Sequence, residues 1–318
     1  MKSLVILIVL GLFLPVGRAA ASPSEMLAAG RVDDVIASLH AQLEKTPSDA
    51  ASHNYLCRAY LSLRDWDQAI SACERAAFLE PRNSDYHLWL ARAYGEKADR
   101  SSVFAAMSLA RKVRKQFEIA VELNPRNVDA RVDLAEFYTN APGILGGGDD
   151  KVRAQASALA AIAPAQAHYV LGRLAEKNKD AGTAEKEYRV AVAASDGNAH
   201  DWLNLALFCK HQNRLNEMEE YLQSAVNSPT ANNEVMVESA EVLLRAGRNP
   251  RIAAQFVRRY IASEAPSEKS PLFHAHYVLG TALEKQGDTQ GAAREYRAAL
   301  AMASNFPAAK EALSRINQ

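Results

Sequence analysis

From residue 24 onward, apolar positions recur in paired helical stripes. In the segment LGTALEKQGDTQGAAREYRAAL from Leu279, the residues Leu279, Gly280 and Leu283 fall on one helical face. Gly287-Asp288 then breaks the pattern, and Ala292, Tyr296 and Ala299 resume it. Two amphipathic helices joined by a short turn are predicted. The segment LGRLAEKNKDAGTAEKEYRVAV from Leu171 repeats it with ten identities in twenty-two columns. The hexapeptide Ala-His-Tyr-Val-Leu-Gly occurs at Ala167–Gly172 and again at Ala275–Gly280. A second pair, His-x-x-Leu-x-Arg-Ala-Tyr, occupies His53–Tyr60 and His87–Tyr94, 34 residues apart. Self-similarity at this period marks a helical repeat array, whose ordinary role is to display a long binding surface.

Each unit has the same slots. A Leu-small pair recurs as Leu56-Cys57, Leu90-Ala91, Leu134-Ala135, Leu171-Gly172, Leu205-Ala206, Ser239-Ala240 and Leu279-Gly280. A large second member would hold the two helices of a unit apart. Four residues after the Leu come Tyr60, Tyr94, Tyr138, Ala175, Cys209, Leu243 and Leu283. On the second helix, Ala69, Ala184 and Ala292 fill a small slot, and Phe117, Tyr188, Phe256 and Tyr296 an aromatic one. Pro81, Pro125 and Pro164 close three units, and Pro47 closes a shortened one before them. This pattern resembles the tetratricopeptide repeat, with its Trp-x-x-Leu-Gly-x-x-Tyr, Ala-x-x-x-Phe, Ala and closing Pro. The resemblance implies an all-α fold: an α-solenoid of stacked antiparallel helix pairs, with about seven repeats, a leading half-repeat and a C-terminal capping helix. Units are expected near 24–47, 50–81, 84–125, 128–164, 165–196, 199–229, 233–262 and 273–304, with the cap at 307–318.

The Leu slots are spaced 34, 44, 37, 34, 34 and 40 residues apart. The 44-residue unit inserts SSVFAAMSLARKV. There Val103, Met107, Ala110, Val113 and Phe117 keep to one face, so a lengthened second helix is predicted. The following insertion, NAPGILGGGDD, reads as non-helical because of Pro142 and four glycines. The sixth unit is degenerate, and SEAPSEKSP is a polar link before the seventh. Pro307 is placed to open the last helix, with Ala308, Ala312, Leu313 and Ile316 inward.

The N-terminus differs. Lys2 precedes an apolar run over residues 4–16, followed by Gly17-Arg18-Ala19 and Ala19-Ala20-Ala21. This run is short for a transmembrane helix and fits a signal peptide over 1–21, cleaved between Ala19 and Ser22. Export is expected, most simply to a bacterial periplasm; an uncleaved signal anchor is the alternative. No later segment is apolar for long enough to span a bilayer. The 318 residues carry 37 basic and 37 acidic side chains. Losing Lys2 and Arg18 leaves 35 against 37, a net charge of −2. This balance argues against nucleic acid as a partner, which needs a basic excess or stripe.

Candidate chemistry is sparse. Cys57, Cys73 and Cys209 sit in inward slots. Buried thiols are the simpler reading, and a Cys57–Cys73 bridge across one unit is the alternative. His53, His87, His168 and His276 all stand three residues before the Leu slot, one per unit, which suits packing better than a shared zinc. No His-Glu-x-x-His or Cys-x-x-Cys motif is present, and no Gly-x-Ser-x-Gly. The loop Gly143–Gly148 lacks the Lys-Ser/Thr of a phosphate-binding loop and is followed by Asp149 and Asp150. No catalytic, cofactor-binding or metal-binding residue is assigned.

The resemblance places the first helices of successive units along a concave groove. Its expected partner-binding residues are Asn54, Arg58, Arg92, Glu96, Tyr169, Arg173, Lys177, Leu203, Leu207 and Tyr277. Arg58 and Arg92, equivalent in consecutive units, are placed to present two guanidiniums to one acidic group, or to pair with internal acids. The expected function is non-catalytic: a scaffold or adaptor in the cell envelope that binds a protein or peptide. Alternatives are a membrane-tethered assembly factor and an accessory subunit of an envelope enzyme.

Overall fold

The computed structural model describes residues 21–316 except 230–232 and 264. The expected signal segment lies outside the described residues, apart from Ala21. Two short-to-medium helices lead: α1 (Pro23–Ala28) and α2 (Val32–Lys45). Seven pairs follow: α3 (Ala50–Ser62) with α4 (Trp66–Leu79), α5 (Ser84–Ala98) with α6 (Val103–Leu123), and α7 (Val128–Asn140) with α8 (Asp149–Ala160). Then come α9 (Pro164–Lys177) with α10 (Ala181–Ala194), α11 (Ala199–His211) with α12 (Leu215–Asn227), and α13 (Glu234–Arg245) with α14 (Pro250–Ile261). The last pair is α15 (Leu272–Glu284) with α16 (Thr289–Met302), closed by α17 (Pro307–Ile316). No strand occurs among the described residues; Ser267 and Ser270 form one isolated bridge. Successive helices pack antiparallel, which makes this an all-α solenoid.

The turn inside a unit is written in the sequence. Eight residues after the Leu slot stand Arg64, Lys179, Asn213, Gly247 and Gly287, all left-handed with φ between 58° and 83°. Glycine takes that conformation freely, whereas Arg64 and Lys179 accept a cost of about 1 kcal/mol. In three of these turns the next residue caps the second helix: Asp65, Asp180 and Asp288 accept the backbone N–H of Gln68, Thr183 and Gly291. The two units lacking the left-handed turn carry the insertions. α5 runs on to Ala98, and α6 continues unbroken for 21 residues. After α7 the Gly-rich insertion makes one 3-10 turn at Gly143–Leu145, a small helical element where none was expected, and Asp149 and Asp150 open α8.

The duplicated hexapeptide is duplicated architecture. Gly172 and Gly280 each face a tyrosine ring of the second helix, and an added Cβ would stand 2.9 Å from Tyr188 Cε1 or 2.5 Å from Tyr296 Cε1. Those tyrosines donate their hydroxyls back to Glu176 and Glu284. His168 and His276 each bring Nδ1 within 2.7 Å of a second-helix carboxylate, Glu187 or Glu295. Their counterparts His53 and His87 reach the Pro47 and Pro81 carbonyls at 3.1 and 3.0 Å. His87 also brings Nδ1 within 2.6 Å of Gln116 on α6, so the histidine slot ties first helix to second in three of the four units, while His53 holds only the turn before its own helix.

Cys57 and Cys73 form a disulfide between α3 and α4, with Cα atoms 5.2 Å apart, which overturns the simpler reading of free thiols. Cys209 is free and buried, and burial pushes its thiol up to about 11. In α17 the fully buried residues are Ala309 and Ala312, while Ala308, Leu313 and Ile316 are half-buried.

The array curves until its ends meet. Ser24 Oγ donates to Glu268 at 2.8 Å, and the Ser304 N–H donates to Asp33 Oδ2 at 2.8 Å. Gly30 packs so tightly that a Cβ there would lie 2.9 Å from the Phe273 nitrogen. Leu27 and Val32 share one hydrophobic cluster with Phe273, Ala303 and Phe306. A second cluster fills units four to seven. Tyr169 and Tyr277, the two hexapeptide tyrosines, pack against both clusters.

Candidate functional site

The arginines expected to line the groove are paired internally. Arg58 is bound through both Nε and Nη2 by Glu268, with the Nε–Oε1 distance 2.6 Å. Its guanidinium carbon also lies 4.7 Å from the Tyr55 ring centre and 5.1 Å from that of Trp89. Arg92 lies 5.0 Å from the same Trp89 ring and donates to Asp133 at 2.7 Å. Burial opposes the Arg92 charge, and Asp133 and Asp129 outweigh it. The two arginines thus converge on Trp89, each with its own carboxylate, in the second of the two arrangements expected for them. Asn54 is buried, and its Nδ2 has no hydrogen-bond partner.

The other expected residues behave alike. Tyr169 donates to Glu136, and Arg173 lies 3.5 Å from Glu136 and 3.4 Å from Glu176. Burial, then Glu136, drives the Tyr169 phenol strongly upward. Lys177 is exposed and pairs with Asp149 at 2.8 Å. Leu203 is buried, Leu207 half-buried, and Tyr277 is enclosed by Phe306 and Tyr296. Glu96 is exposed at the end of α5. Half-buried Glu241 meets His274 Nε2 at 2.8 Å; partial burial opposes its charge, but His274 holds its carboxyl below the usual range.

Open surface lies where the insertions are. A cleft of about 530 Å³ runs between the end of α5 (Gly95, Ala98), the first half of α6 (Val103, Met107, Ala110) and the end of α7 (Phe137, Asn140), floored by Leu145. Its lining is mostly apolar. Val103 is 73% exposed, and beside it Phe104 is 87% exposed. Ile144, next to Leu145, is 80% exposed. Large apolar side chains at such exposure are the kind of surface that marks an interaction site. Glu136, the partner of Tyr169 and Arg173, also borders this cleft.

One cluster was not singled out in the sequence. His200, Glu234 and Glu238 bring three ligand atoms within 4.8 Å of one another. His200 Nε2 lies 3.2 Å from Glu234 Oε1 and 3.7 Å from Glu238 Oε2. The signal was available: His200 and Glu234 stand 34 residues apart, each five before its Leu slot. Residues in the same register of consecutive units become neighbours when units stack.

Family models of the tetratricopeptide repeat match residues 26–94, 237–307 and 277–316. No curated protein matches the chain. Among solved structures, the APC/C hetero-tetramer Cut9-Hcn1 is similar at 14% identity and a TM-score of 0.46, over 81% of this chain and 48% of that one. This chain therefore spans about half the length of that relative. A thermophilic TPR protein of Thermus thermophilus is similar at 20% identity and a TM-score of 0.44, over 61% of this chain and 99% of that one. A tetratricopeptide repeat protein from Parabacteroides merdae is similar at 16% identity and a TM-score of 0.41, over 90% and 100%. With the repeat register continuous between the matched stretches and every unit folded as the same helix pair, the chain belongs to the tetratricopeptide repeat family.

Proposed function

We propose that this protein is an exported, non-catalytic scaffold holding a protein or peptide along its concave side, anchored in the apolar cleft between α5, α6 and α7. The observation that carries this reading is the exposure of Val103, Phe104 and Ile144 beside the cleft while the concave charges are paired internally. Covering apolar side chains of that size contributes about 1.5–3 kcal/mol each when burial is complete. The matching partner presents two or three apolar side chains from one helical face or one extended segment. The paired concave charges then position the chain that leaves the anchor. Support for export comes from the apolar run over residues 4–16 and from the Cys57–Cys73 disulfide, a bond that persists in oxidising compartments.

A photo-crosslinking amino acid placed at Phe104 or Met107 in intact cells tests this reading. The expected result is a discrete protein adduct, absent from a control position at Glu44 and lost with Ala110→Asp. Adducts identical to those from Glu44, or unaffected by Ala110→Asp, contradict it. The mass of the mature N-terminus checks cleavage between Ala19 and Ser22.

A further inference from the structure

We propose that His200, Glu234 and Glu238 form a binding site for one divalent transition cation, Zn²⁺ being the best match, clipping α11 to α13 across the interface of consecutive units. Two observations carry it. The first is spacing. A tetrahedral zinc ion with bonds of about 2.0–2.1 Å holds its ligand atoms roughly 3.3 Å apart. The separations of 3.2 and 3.7 Å from His200 Nε2 to the two carboxylates need little adjustment to meet that. The second is a buried, loosely met acceptor. The Glu234 side chain is 5% exposed, and its buried Oε1 accepts no hydrogen bond of good geometry, its nearest basic groups being His200 Nε2 at 3.2 Å and the Lys269 ammonium at 3.5 Å. A buried carboxylate oxygen met only at that distance costs free energy that a directly bound cation recovers.

The surroundings fit a ligand set. Ser267 donates its hydroxyl to Glu234 Oε2, fixing the carboxylate with Oε1 toward the cluster, as outer partners of metal ligands do. His200 and Glu238 are each about one-third exposed, which leaves a side open for water or for a partner's own ligand atom. Lys269 Nζ lies 3.5 Å from Glu234 Oε1 on an otherwise exposed side chain. It is the competing occupant: its ammonium and an incoming cation repel. His200 must offer its Nε2 lone pair, so loading displaces any proton held there and strengthens as pH rises through the imidazole range. This site stands whether or not the cleft binds a partner.

Calorimetric titration of the mature full-length protein with Zn²⁺ tests the proposal, with Co²⁺ absorption as an independent readout of coordination. One ion per chain is expected. Its affinity should fall more than about tenfold in His200→Ala and in Glu238→Gln, and rise in Lys269→Ala. The Co²⁺ complex should show the intense visible bands of four-coordination, lost in His200→Ala. His274→Ala, outside the cluster, serves as the matched control. Absence of saturable binding overturns the proposal. So does binding that His200→Ala and Glu238→Gln leave intact, or a six-coordinate Co²⁺ spectrum unchanged by His200→Ala.

Discussion

Arg58 and Glu268, 210 residues apart, form a two-point ion pair that joins the first complete unit to the link preceding the seventh. Both side chains are about one-fifth exposed, so the pair sits between surface and interior. Neutralising one partner leaves the other half-buried and unmatched, a loss of about 1–3 kcal/mol. Glu268→Gln should therefore lower the melting temperature, and Arg58→Met with Glu268→Met should recover part of the loss. Thermal denaturation of Glu268→Gln, of the double variant and of its two single Met components checks this. A double variant as unstable as the sum of the singles would show that the pairing carries no energy.

The Cys57–Cys73 bridge closes a loop between residues 16 apart, for which chain entropy gives about 3 kcal/mol. Unfolding without reductant should expose one reactive thiol, that of Cys209, and unfolding with reductant three. Reduction should destabilise the protein by roughly that 3 kcal/mol. Three thiols without reductant would contradict the bridge.

Alanine for glycine inside a helix ordinarily gains about 1 kcal/mol. At Gly280 the sign should reverse, because the new Cβ meets Tyr296 Cε1 at 2.5 Å. Overpacking of that kind costs about 1–3 kcal/mol. At Gly95, with nothing within 4 Å of an added Cβ, Ala should stabilise. Denaturant midpoints for Gly280→Ala and Gly95→Ala give the comparison, and equal shifts would refute the close approach.

Glu185 accepts two bonds from Arg214 of the next unit, at 2.6 and 3.1 Å, and two more from Arg189. The Arg214 hydrogen bonds are the largest cause holding its carboxyl at about 2, well below the ordinary 4.5. The folded protein therefore takes up this proton later than the unfolded chain. Its stabilisation is complete above pH 4.5 and is lost as pH falls toward 2. A pair this open to solvent is worth about 1 kcal/mol or less. Glu185→Gln should flatten that part of the pH–stability curve, most visibly at low salt. An unchanged slope would contradict the assignment.

What the sequence made legible was what each unit repeats. The small residue of the Leu slot recurs in register in almost every unit, and the tyrosine it packs under and the histidine slot recur in several, because the same local packing is repeated. The longer α6 was readable from Val103 to Phe117 because an insertion inside a helix must keep the apolar face in phase. Closure of the array was not readable. Curvature accumulates from small rotations per repeat, and no local pattern announces that Arg58 will meet Glu268. The arginine pair was noticed, but the acids beside it depend on that closure and on Asp133, one unit away. The cysteines lacked a local signal too, since a bridge depends on a Cα separation that only the packed pair sets. His200 and Glu234 were legible in principle through their shared register, a relation between units that is hidden when each is read alone.

The meeting of the two ends decides which surface is left for a partner. The direct measurement is an electron–electron distance between spin labels at Arg31→Cys and Asn305→Cys, two exposed positions flanking the Asp33–Ser304 contact. Buried Cys209 is replaced by Ala in the labelled protein. Closure predicts one narrow distribution at short distance, broadened or lengthened by Glu268→Gln. A long, broad distribution in the unaltered protein, insensitive to Glu268→Gln, would mean that the ends stand apart and that Arg58 is free of Glu268.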